Sequence, residues 1–174
     1  MALVTGPNGY HAGAMNQPAP QVTTTPLTFT QLISSTRRGA RLARLLSVDQ
    51  LRSWGAPQDL TERAEIVVAE LAANAALHGS LPGRSFRLTL VFDAPPGRLR
   101  VDVTDGRGDR WPLVRPASAV SDESLATTGR GLSLVAAIAD RWDTLPYPPS
   151  GKTVRALLTS PPPAPRPNGS VTLR

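Results

Sequence analysis

The chain has 174 residues, 40% of them hydrophobic, which is enough to build one folded domain with a real core. It contains no cysteine, which excludes disulfides, thiolate metal sites, iron–sulfur clusters and cysteine nucleophiles. The net charge is +6 and the pI about 11.1, but the excess gathers on one segment, where Arg37, Arg38, Arg41, Arg44 and Arg52 face a single acid, Asp49. No basic stripe is interleaved with aromatics, so direct nucleic-acid binding is not expected.

Residues 1–25 and the Pro-rich residues 160–174 offer Pro, Gly and small polar residues with little to bury, and read as disordered tails around a domain at 26–159. With neither a signal peptide nor a membrane helix in the pattern, a cytoplasmic protein without membrane contact is expected. After an extended lead, residues from about Ile33 to Trp54 have helical spacing, closed by Gly55 and Pro57. Asp59 and Thr61 offer N-caps for a second helix that runs to about His78, with Gly79 as its stop signal.

Two runs of period-two alternation follow, Phe86 to Phe92 and Leu99 to Asp105, and Ala94-Pro95-Pro96-Gly97 between them predicts a hairpin. The polar stretch from about Arg107 to Thr128 is long for a loop inside a compact domain, as functional or mobile loops are. A third helix is expected from near Gly131 to Trp142, and Thr153 to Leu158 reads as a closing strand. This order predicts an α/β two-layer sandwich, with helices on one face of a mixed, mostly antiparallel sheet.

Three places carry chemistry. On the second helix Ala64, Val67, Val68, Leu71, Ala72 and Ala75 form one apolar stripe, and Glu70, Asn74 and His78 recur at i, i+4 and i+8 along its edge. A carboxylate and an amide half turned into a core require either a ligand or an internal network to satisfy them. Asp105 is in phase with the inward Leu99, Val101 and Val103, so it either meets a buried donor, such as an exocyclic amine of a ligand, or caps the turn with Gly106 and Gly108. Gly129 and Gly131 lead from the polar stretch into an apolar helix, where free backbone N–H groups at a positive helix end suit an anion.

These motifs, ELAANAALH at Glu70 to His78, the Asp105 turn and GRGLSLV at Gly129 to Val135, in this order and spacing, resemble the ATPase superfamily of gyrase, histidine kinases and MutL. Within it the chain is most similar to stand-alone anti-sigma-factor serine kinases. The resemblance covers about residues 27 to 158 and implies the Bergerat ATP-binding fold. It also implies ATP and ADP as ligands and magnesium as cofactor, with Glu70 as the catalytic carboxylate and Asn74 as the magnesium ligand. By the same carry-over Asp105 accepts from the adenine amino group and Thr153 helps hold that end through Asp105 or water. His78, Gly106 and Gly108, with Gly129, Arg130, Gly131 and Leu132, complete the nucleotide-binding set. The implied partners are a sigma factor and an anti-anti-sigma protein whose serine or threonine is phosphorylated, with homodimerisation a further expectation.

Two departures stand out. The family's first glycine box is Asp-x-Gly-x-Gly, but this chain reads Asp-Gly-Arg-Gly-Asp from Asp105, so that Arg107 and Asp109 take the glycine places. Arg107 either narrows the adenine pocket or turns its guanidinium to the nucleotide, and a catalytically inactive protein-binding module is the alternative reading. The phosphotransfer helix of sensor histidine kinases is also missing. Gly151-Lys152-Thr153 is no phosphate-binding loop, because Pro146 stands where the upstream glycine is needed and a strand follows.

Overall fold

A computed structural model describes residues 25–79, 81, 83–112 and 130–160. Both expected tails, apart from Thr25 and Ser160, and most of the polar stretch before Arg130 lie outside the described residues. The elements in order are β1 (Leu27–Ser34), α1 (Arg37–Ser53), α2 (Gln58–Leu77), β2 (Ser85–Asp93), β3 (Arg98–Asp105), α3 (Arg130–Ile138), β4 (Arg141–Tyr147) and β5 (Gly151–Thr159).

The five strands form one sheet in the order β1-β2-β3-β5-β4, and every pairing is antiparallel. The two-layer α/β sandwich is as expected, with no parallel pair among the described strands. Alternation puts Phe86, Leu88, Leu90 and Phe92 of β2, Leu99, Val101 and Val103 of β3, and Val154, Ala156 and Leu158 of β5 on one buried face. The stripe Ala64, Val67, Val68, Leu71, Ala72 and Ala75 of α2 packs against that face, with α1 and α3 on either side of α2. The opposite face of the sheet is polar: Asp102 accepts two hydrogen bonds from the Arg155 guanidinium, at 2.8 and 2.9 Å.

Three boundaries differ from the sequence expectation. The first helix begins at Arg37, because Ile33 and Ser34 pair with Phe86 and Ser85 in the sheet and Thr36 caps the helix, its Oγ1 accepting from Gly39 N–H at 3.0 Å. Neither Asp59 nor Thr61 caps α2. Both lie in its first turn, which starts after Pro57 with no side-chain cap, and the Thr61 hydroxyl donates back to Pro57 O at 3.0 Å. The third helix ends at Ile138, and Trp142 belongs to edge strand β4, where Pro146 is tolerated because the outer side of the strand needs no ladder bond. Arg63 of α2 closes this end: its guanidinium donates to Ile138 O at 2.8 Å, Thr159 O at 2.9 Å and Asp140 Oδ1 at 2.9 Å.

Candidate functional site

The site lies along the edge of α2. Glu70 and Asn74 are half-buried there, one turn apart, as the apolar stripe requires. α2 packs against α3, and Gly131 in the first turn of α3 meets Glu70 so closely that a Cβ at this position would overlap Glu70 Oε2. Glycine at 131 is therefore what lets the carboxylate lie against the start of α3. Asn74 Nδ2 is sealed from solvent and has no hydrogen-bond partner. A sealed, unpaired amide costs about 1–3 kcal/mol, so the position fits a ligand that supplies the missing partner. Turning the amide by 180° about its Cβ–Cγ bond exchanges nitrogen for oxygen, which is the donor type a hard divalent cation takes.

Asp105 sits beside the C-terminal end of α2, beyond Asn74. It is 6% exposed, and Gly79, just past the C-terminus of α2, passes so close that a Cβ there would collide with its carboxylate. Its Oδ1 accepts from Arg107 N–H at 2.8 Å and from Lys152 Nζ at 2.8 Å. Asp105 is thus still part of β3 and points inward to a buried donor, while its carboxylate also caps the turn. Lys152 is itself only 5% exposed and donates a second bond, at 2.7 Å, to Arg107 O. From Glu70 to Leu77, the last residue of α2, is about 10 Å along the helix axis.

Arg107 turns its guanidinium to a neighbouring carboxylate. Its guanidinium is clasped by Asp109, Nε to Oδ1 and one terminal nitrogen to Oδ2, both at 2.9 Å. This hydrogen bonding is the main reason that the Asp109 carboxyl is held down at about 2 and that Arg107 is raised above its ordinary value. Gly108 donates its N–H to Ser150 O at 2.7 Å, and a Cβ on it would come within 2.6 Å of the same oxygen. The glycine at 108 is thus required by packing against the β4–β5 turn. Gly106 faces Leu81, and these residues line a cleft of about 600 Å³ together with Arg107, Gly108, Pro146 and Gly151.

The remaining expected site residues divide. Thr153 is not at Asp105. In the β3–β5 register Thr153 pairs with Thr104, their hydroxyls 2.8 Å apart on the opposite face of the sheet, while Asp105 pairs with Lys152. Lys152 was legible by parity, since Val154, Ala156 and Leu158 all point inward and 152 is in phase with them. Leu132 is buried in the hydrophobic core, and His78 is exposed at the C-cap of α2, its N–H bonded to Asn74 O at 2.8 Å. Gly129 lies outside the described residues, and Arg130 is the first residue of α3. Among the described residues no cluster of three His, Asp or Glu side chains forms a metal site, and no helix is long and apolar enough to cross a membrane.

Residues 33–158 match the family model of the histidine kinase-like ATPase domain, and the chain belongs to that family. Among solved structures it is similar to the RsbU and RsbW domains of Rv1364c from Mycobacterium tuberculosis, with a TM-score of 0.57 at 16% identity over 78% of this chain. It spans only 34% of that chain. It is also similar to the SiaB-SiaC complex from Pseudomonas aeruginosa, with a TM-score of 0.54 at 15% identity over 75% of this chain and 88% of that one. No curated protein matches it in sequence.

Proposed function

We propose that the protein binds ATP with magnesium and acts as an anti-sigma-factor-type serine/threonine kinase on an anti-anti-sigma partner. The observation that carries this reading is the sealed, unpaired amide of Asn74 one turn from the Glu70 carboxylate, beside the first turn of α3. The triphosphate would lie there, with the base toward the C-terminal end of α2 at Asp105. Bound magnesium would neutralise charge on the phosphates, and Asn74 is the residue proposed to hold it. Glu70 would orient the substrate hydroxyl and accept its proton as the phosphoryl group transfers. The exposed Arg37 and Arg41 on α1 form the proposed docking face for the partner protein.

A pair of variants tests this. Glu70→Ala is expected to bind ATP as the wild type does while phosphate transfer to the partner falls by about 10²- to 10⁴-fold. Asn74→Ala is expected to lose both metal-dependent ATP affinity and transfer. A second reading, a non-catalytic binding module, is favoured by Lys152 standing on Asp105. No transfer by either protein would leave that module as the function, whereas equal transfer by wild type and Glu70→Ala would remove Glu70 from the reaction.

A further inference from the structure

Lys152 is an unusual residue for its place. It lies on the inward face of β5 in phase with Val154, Ala156 and Leu158, where a buried ammonium carries a large desolvation penalty unless it is fully engaged. It is engaged at 2.8 Å with Asp105 Oδ1 and at 2.7 Å with Arg107 O. The same Oδ1 already holds the Arg107 amide at 2.8 Å, and Gly79 presses on the rest of the carboxylate. The acceptor proposed above for a nucleotide base is therefore taken by a cation of the protein itself.

We propose that Lys152 sets nucleotide affinity by competing with the base for Asp105. This inference rests on the nucleotide reading of the site. A neutral exocyclic amine gains little from a carboxylate already neutralised by a charge-assisted bond to an ammonium, and must displace or share that bond to be recognised. Arg107 supports the competitor instead of the ligand: its carbonyl takes the second Lys152 bond, while its guanidinium is turned away to Asp109. Lys152 is thus a specificity-determining residue for the base end, and the phosphate end is independent of it.

The test is calorimetric titration of magnesium–ATP and of tripolyphosphate, which has no base, into the full chain and its Lys152→Gln, Lys152→Thr and Lys152→Arg variants. Gln retains a neutral donor for Asp105 and so guards against loss of the fold. Removing the cation is expected to tighten ATP about tenfold or more in the Gln and Thr variants. Tripolyphosphate affinity should stay unchanged, and Lys152→Arg should remain as weak as the wild type. Folded Gln or Thr variants whose ATP affinity is equal to the wild type or weaker would overturn the competition while leaving the nucleotide reading in place. Loss of the folded state in both would also overturn it, by making the pair a structural staple. ATP binding by none of the four proteins would overturn the nucleotide reading and the competition with it.

Discussion

Asp105 shows how one side chain serves two demands. Its inward phase places a carboxylate in the core, and the Lys152 ammonium with the Arg107 N–H satisfies it there. Asp105→Asn would leave the ammonium with only a neutral partner, and is expected to cost about 1–3 kcal/mol of stability, read from the denaturant midpoint at unchanged slope. The neighbouring clasp makes a separate prediction. Asp109 is lowered from 3.8 to about 2, chiefly by the Arg107 hydrogen bonds. A depressed carboxyl contributes its stabilisation above its unfolded value and loses it as pH falls through the folded one. The clasp should therefore hold at all pH values above about 4 and open only on approach to about 2, as a carbon-detected NMR titration of Asp109 would record.

At the scale of elements, α1 illustrates a conflict between local preference and packing. Its first turn carries Arg37 and Arg38 with no acid to balance the positive end of the helix. Gly39 sits in the same turn, where Ala has the better helix propensity by about 1 kcal/mol. Yet a Cβ at 39 would overlap the backbone oxygen of Ser34 at the end of β1. Gly39→Ala is accordingly expected to destabilise the protein by about 1–3 kcal/mol, the cost of overpacking, with a lower melting temperature as its measure. A neutral or stabilising outcome would mean that the β1–α1 corner shifts freely.

At the scale of the molecule, the sheet and helices build a wall on which the two ends of the site are held by different parts of the chain. Glu70 and Asn74 belong to α2, Gly131 to α3, Asp105 to β3 and Lys152 to β5. A ligand that spans them binds only the folded state, so magnesium–ATP is expected to raise the melting temperature, by an amount equivalent to about 2.7 kcal/mol at a hundredfold excess over its dissociation constant. Asn74→Ala should abolish most of that shift. A shift of equal size in Asn74→Ala would place the ligand elsewhere.

Much of this architecture was legible from the residues alone because periodicity is a local property. The 3.6-residue stripe of α2 placed Glu70 and Asn74 on its edge, and the alternation of Leu99, Val101 and Val103 turned Asp105 inward. The same logic failed at Trp142, where no glycine or proline marks the break between helix and edge strand at Ala139-Asp140. Which groups meet was decided by tertiary structure. Register across β3 and β5 brought Lys152 to Asp105 and sent Thr153 to Thr104 on the other face, since a shift of one residue along a strand reverses the side it presents. The clasp of Arg107 by Asp109 and the fit of Gly131 against Glu70 likewise depend on backbone paths, which the spacing of motifs along the chain does not specify. Which side chains turn inward was thus written in local pattern, and their partners were settled by the way distant segments pack.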